Sequence, residues 1–204
     1  FTGSVPTAKW IAQAAGANLV PCSLELGGKS PFIVLEDADI DNAAATGALM
    51  YRNAGQVCLA GTRFLVHTTV RDAFVAAMRG YVEKLNIGDP RDEAVEIGPI
   101  IHPRQVERVK GFVERAIADG AELLWGGKPH LFGAQYFEPT MLTNLRQDSE
   151  IVQNEVFGPV LTLQTFGSDE ELIALANGTD YGLGGVCYGD TEHATAIAQQ
   201  VHTG

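Results

Sequence analysis

One cysteine and one glutamate carry most of the chemical information in this sequence. Cys58 closes the run Gly55-Gln56-Val57-Cys58, and Glu25 stands 33 positions upstream in Leu24-Glu25-Leu26-Gly27-Gly28-Lys29-Ser30-Pro31. A two-step covalent reaction at a carbonyl needs these two groups: a thiol to attack and hold a thioester, and a carboxylate to activate the water that cleaves it. Cys58 follows a polar, glycine-containing break after an apolar helical pattern, where a side chain can face a cleft. Glu25 ends an apolar stretch and precedes two glycines, an awkward place for a carboxylate unless it is paired or used. Taken singly, Cys58 reads as a small buried hydrophobe and Glu25 as a structural ion pair with Lys29 or an arginine. Together they point to chemistry. Cys22 and Cys187 lie in apolar, strand-like stretches and are expected to pack in the core.

The elements that would position this pair alternate between strand-length apolar runs and helix-length amphipathic runs, the pattern of an α/β layer architecture. Helices are expected over residues 5–15, 40–52, 70–85, 103–119, 170–176 and 192–201. Strands are expected over 19–25, 32–35, 63–67, 122–125, 139–142, 160–165 and 185–188. Phe32-Ile33-Val34-Leu35 is apolar on both parities, as in a mostly parallel sheet covered by helices on both faces. Ser4, Asp39 and Ser168 stand where N-caps are needed, and Gly120 where a helix would end. The expected domain boundary falls at Gly27-Gly28, dividing the chain into residues 1–26 and 27–204. Both ends read as cut from something longer.

Composition narrows the classes further. The 204 residues are 46% hydrophobic and 19% charged, and a net charge of −11 opposes binding to nucleic acid or to an anionic membrane surface. No apolar run approaches the length of a spanning helix. Three cysteines without a CxxC pair argue against a disulfide framework and favour a reducing compartment, with the cytoplasm expected. Asp37, Asp39 and Asp41 alternate like a calcium loop but lack its glycine and closing glutamate, so a helix N-terminal acidic cluster is the better reading. The five histidines have no metal-ligand spacing, and no metal site is expected. The face formed by Glu107, Arg108, Lys110, Glu114 and Arg115 reads as a solvated helix surface.

Four runs resemble, in order and approximate spacing, motifs of the NAD(P)-dependent aldehyde dehydrogenase superfamily. They are Phe1-Thr2-Gly3-Ser4, Leu24 to Pro31, Gly55 to Cys58, and Glu155-Val156-Phe157-Gly158-Pro159-Val160. The similarity extends along the whole chain through Gly98-Pro99, Gly120-Ala121 with Gly126-Gly127, and Tyr181-Gly182-Leu183. The resemblance implies the catalytic-domain region of a longer chain, with residues 1–26 as the last helix and strand of a Rossmann-type cofactor domain. It implies Cys58 as nucleophile and Glu25 as general base, with NAD or NADP as cofactor. Ser4, Leu26, Gly27, Glu155 and Phe157 would then face the cofactor, Glu155 through the nicotinamide ribose. Ala8 departs from the family's frequent glycine near the phosphate-contacting serine.

Substrate is the least determined property. Arg52 matches an arginine that grips the substrate carboxylate in the succinate-semialdehyde branch, and it also reads as a helix-end arginine in solvent. Val57 and Leu59 would flank the nucleophile with small apolar walls. A full-length homodimer or homotetramer is implied. Three other readings stay open: a CoA-acylating dehydrogenase, against which Glu25 speaks; a non-catalytic structural use of the fold; and a cysteine hydrolase, which would need a histidine beside Cys58.

Overall fold

Strands that are apolar on both faces demand cover on both sides, and helices before and after them supply it. The computed structural model describes residues 1–204. The chain runs β1 (Thr2–Gly3), α1 (Val5–Ala17), β2 (Glu25–Leu26), β3 (Pro31–Val34), α2 (Ile40–Ala48), a 3-10 segment (Leu49–Gly55), β4 (Arg63–His67) and α3 (Arg71–Val82). It continues through α4 (Pro103–Ala118), β5 (Glu122–Trp125), β6 (Thr140–Thr143), the short α5 (Glu150–Gln153), β7 (Val160–Phe166), α6 (Asp169–Ala176), β8 (Val186–Tyr188) and α7 (Thr191–Ala198).

Six strands form one sheet in the order β5-β6-β7-β4-β3-β8, parallel throughout except for the β5/β6 pair. One face packs on α2, α3 and α4 through Phe32, Phe64, Phe74 and Val109, the first two rings stacked with centroids 4.4 Å apart. The other face packs on α6 and α7 through Ile33, Leu65, Leu172 and Ile197. β1 and β2 form a separate two-stranded parallel ribbon. No helix is long and apolar enough to cross a membrane.

Capping follows the residue chemistry. Asp39 accepts from the Asn42 N–H at 3.1 Å and Ser168 from the Glu171 N–H at 3.3 Å. Gly120 takes the left-handed conformation, φ 99°, that ends α4. Ser4 holds the N-cap position of α1, but its hydroxyl pairs with Thr7 (3.1 Å) rather than with a backbone amide.

Three expectations need correction. The strand expected over 19–25 shrinks to Glu25–Leu26, because its parallel neighbour is only Thr2–Gly3, with Phe1 adding bonds to Ser23 and Glu25 and no strand pairing with residues 19–22. Leu19 there adopts a left-handed φ of 54° and is almost wholly exposed. Cys22, expected in the core, is exposed for the same reason. The helix expected through residue 52 tightens at Leu49, and Arg52 leaves helical geometry altogether at φ −56°, ψ 153°. There Tyr51 is anchored instead, its hydroxyl donating to the Thr140 carbonyl (2.9 Å) and accepting from the Trp125 indole N–H (3.1 Å).

Arg63 ties the sheet to α6. It is buried, yet its guanidinium donates to the Lys29 carbonyl (2.9 Å) and to the last carbonyls of α6, on Leu175 (2.8 Å) and Ala176 (2.7 Å). Arg63→Met would leave three acceptors without their donor. We expect a loss of about 3 kcal/mol, measured as a lower midpoint in urea with an unchanged slope.

Candidate active site

Three chain segments meet because their strands are neighbours. β7, β4 and β3 lie side by side and parallel, so the segments leading into them emerge at one end of the sheet. Those segments carry Glu155 to Gly158, Gln56 to Cys58, and Glu25 to Gly28. This is the amino end of the strands, the opposite of where open doubly wound sheets ordinarily hold ligands.

At that end lies an open cleft of about 590 Å³. Ser4 enters it from the start of α1, and Glu25, Leu26 and Gly27 from β2 and its exit. Val57 and Cys58 come from the segment before β4, and Glu155 and Phe157 from the segment before β7. The structure therefore brings together every expected site residue except Arg52 and Leu59. Arg52 is half-exposed and paired with Glu96 at 2.9 Å, and neither it nor Leu59 lines the cleft.

The approach to Cys58 is built on left-handed backbone. Asn53, Ala54 and Gly55 have φ of 54°, 53° and 66° in succession, an arrangement costly for an alanine. Side chains brace it: Asn53 Nδ2 donates to the Gln56 carbonyl (3.1 Å), and Gln56 Nε2 donates to the carbonyls of Asn53 (3.0 Å) and Pro99 (3.3 Å). Gln56 Oε1 accepts from the Ile101 N–H at 2.9 Å. Cys58 then sits, half-buried, in a turn closed by the Ala60 N–H donating to the Val57 carbonyl (3.2 Å).

Close packing demands glycine at two junctions. A Cβ on Gly28 would overlap the Cys58 carbonyl, and one on Gly27 would overlap the Glu155 carboxylate. The bare backbone lets the Gly28 N–H donate to Glu155 Oε1 at 3.2 Å. Burial raises the Glu155 carboxyl above the ordinary range, opposed by the Gly28 hydrogen bond and by the charges of Arg108 and Lys29.

The α4 face is solvated as expected, with Glu107, Arg108, Glu114 and Arg115 exposed, and one of these residues also serves the cleft. Arg108 lines the cleft and donates to the backbone carbonyls of Glu155 (2.6 Å) and Val156, while Gln105 Nε2 donates to those of Val156 (2.9 Å) and Phe157 (2.8 Å). These two side chains clamp the segment on which Phe157 holds a left-handed φ of 53°. Gln105, Arg108 and Gln56 were not legible as site residues, since polar side chains on an amphipathic helix or in a loop carry no periodic signal. Glu25 also differs from its expected setting. It is exposed and forms none of the molecule's ion pairs, so its place at the cleft comes from β2 rather than from a charged partner.

Comparison with known proteins gives the family. The family model described as "Aldehyde dehydrogenase family" matches residues 1–204. A relative from Staphylococcus saprophyticus, named as a candidate aldehyde dehydrogenase, is 41% identical over 209 residues, covering all of this chain and 44% of its own length. The structure of a 3,6-anhydro-L-galactose dehydrogenase in complex with NADP superposes with a TM-score of 0.95 at 39% identity, covering 100% of this chain and 44% of that one. A betaine aldehyde dehydrogenase from Staphylococcus aureus in complex with NAD+ matches with a TM-score of 0.92 at 37% identity, over 100% of this chain and 42% of its own. An α/β fold with a mostly parallel sheet, and a cysteine-lined cleft at the sheet's amino end, is the class these observations define. The chain belongs to the aldehyde dehydrogenase family. It spans less than half the length of the relatives it matches.

Proposed function

We propose that this chain carries the catalytic machinery of a hydrolytic, NAD- or NADP-dependent aldehyde dehydrogenase. The observation that carries this reading is the convergence of Cys58, Glu25 and Glu155 in one cleft. Cys58 is the nucleophile. Its thiolate adds to the aldehyde carbon and gives a thiohemiacetal, whose oxidation leaves an acyl thioester on the same sulfur. The Cys58 backbone N–H is a donor for the alkoxide oxygen. Glu25, exposed to solvent at the cleft, takes a proton from the water that hydrolyses the thioester.

The residues present fit a nicotinamide dinucleotide. The first turn of α1 opens beside the cleft at Ser4, with free amide donors at the positive end of a 13-residue helix, which suits a phosphate group. Glu155 is an acceptor suited to ribose hydroxyls, and Leu26, Gly27 and Phe157 offer a flat, partly apolar surface. When bound, the cofactor supplies the two-electron acceptor for the oxidation. In this reading residues 1–26 are the terminal piece of a cofactor domain, residues 27–204 form the catalytic domain, and the full-length protein is a homodimer or homotetramer. The Arg52–Glu96 pair, outside the cleft lining, favours a substrate without a carboxylate to be gripped there.

A panel of aldehydes tested on the full-length protein with NAD and with NADP checks this proposal. The expected result is reduced cofactor with one equivalent of carboxylic acid, unchanged when CoA is added. Acyl-CoA as the product would overturn the hydrolytic assignment. Absence of aldehyde-dependent reduction across the panel would overturn the enzyme reading itself.

A further inference from the structure

Lys29 is the only buried lysine of the molecule, 1% exposed, and its Nζ meets no hydrogen-bond partner. An enclosed ammonium without a partner is costly, and a methionine of similar length would fill the same space without that cost. What the lysine adds is charge. The charged groups around it are few: Arg63 on β4 and Arg108 on α4 repel it, and Glu155, before β7, is the one carboxylate that attracts it.

Glu155 stands between two spaces. On one side it lines the open cleft with Cys58. On the other, together with Lys29, Gly28, Gly55 and Thr62, it lines a small internal space of about 10 Å³, room for one water at most. Only one Glu155 oxygen has a hydrogen bond within the protein, from the Gly28 N–H.

We propose that Lys29 is the positioning residue for Glu155: its ammonium group, enclosed behind the cleft, supplies the positive charge against which the Glu155 carboxylate is held at the cleft wall. The inference rests on the reading of Glu155 as a cofactor-facing acceptor. It assigns a purpose to a lysine that touches neither substrate nor cleft. Burial first, then Arg63, pull the Lys29 ammonium down to about 7 from an ordinary 10.5. Between those two values the folded chain binds fewer protons than the unfolded chain at this site, so stability rises with pH across that window. Below about 7 the burial penalty is present in full.

Two measurements on the full-length protein test this. In thermal unfolding, Lys29→Met is expected to melt above wild type at pH 6, with the gap closing towards pH 10. In equilibrium titration of NADH or NADPH fluorescence at pH 6, Lys29→Met is expected to weaken binding about tenfold, the scale of one lost charge-assisted interaction, and to add no further loss in a Glu155→Gln background. Wild-type affinity in Lys29→Met beside weakened binding in Glu155→Gln would overturn the inference and leave the cofactor reading standing. Additive losses in the double variant would do the same. Wild-type affinity in Glu155→Gln would overturn both. A Lys29→Met protein that melts below wild type at pH 6 would show that the lysine holds the fold itself, and would overturn the inference as well.

Discussion

Replacement of Cys58 by alanine is expected to abolish aldehyde-dependent cofactor reduction, with kcat falling by about 10⁴- to 10⁶-fold, the scale seen when a covalent nucleophile is deleted. Cys58 is the only one of the three thiols that lines the cleft. Cys22 lies exposed outside it, and Cys187 on β8 is pushed up to about 11 by burial, then by Asp37 and Asp169, the wrong direction for a nucleophile. Neither can substitute. The loss is expected without a loss of fold, because the Cys58 side chain is only half-buried and its turn is closed by backbone atoms. Steady-state rates and a melting curve on the same preparation check both halves. A variant that retains activity within tenfold of wild type would remove Cys58 from the chemistry.

Glu25→Gln is expected to separate the two chemical steps. Glutamine keeps the size of the side chain and removes its basicity, and because Glu25 is exposed and unpaired the change leaves stability within about 0.5 kcal/mol. Hydrolysis of the thioester needs the base, whereas attack by Cys58 and the oxidation that follows do not. Steady-state turnover is therefore expected to fall by about 10²- to 10⁴-fold, while the first turnover still reduces one equivalent of cofactor. Its opposite, a lost first turnover, would place Glu25 earlier, as the group that activates the thiol.

Much of this frame was readable from residue patterns. β4 and β5 fall on the expected residues, and the two-faced apolar run at Phe32 to Leu35 correctly implied helices on both sides. These signals are local, set by burial periodicity. The failures have a common cause in long-range context. Nothing in residues 19–24 reports how short the neighbouring strand at Thr2–Gly3 is, so an apolar run read as strand lies mostly exposed, with Cys22 in it. Similarly, the apolar pattern through Tyr51 continues as if helical, yet the Tyr51 hydroxyl is drawn to Thr140 and Trp125, across 89 and 74 residues of chain, and the helix gives way. That break sets up the left-handed approach to Cys58. Asn53 tolerates such a backbone, but Ala54 gives no hint of it.

The site shows the same division. Cys58 and Glu25 stood out because their residue types are rare in their settings and are chemically complementary. Lys29 lay in full view, four residues beyond Glu25, and only burial reveals that its charge has nothing to pair with except Glu155. Arg108 and Gln105 clamp a loop 47 to 52 residues further along. Such clamps are made by topology: α4 passes over the end of the sheet where β7 begins.

Whether Cys58 carries the acyl group and Glu25 releases it is decided by the intact mass of Glu25→Gln quenched seconds after mixing with aldehyde and cofactor. The expected result is a protein heavier by one acyl group, with the adduct on the peptide containing Cys58 and absent from Cys58→Ala. A protein of unmodified mass after one equivalent of cofactor has been reduced would contradict it.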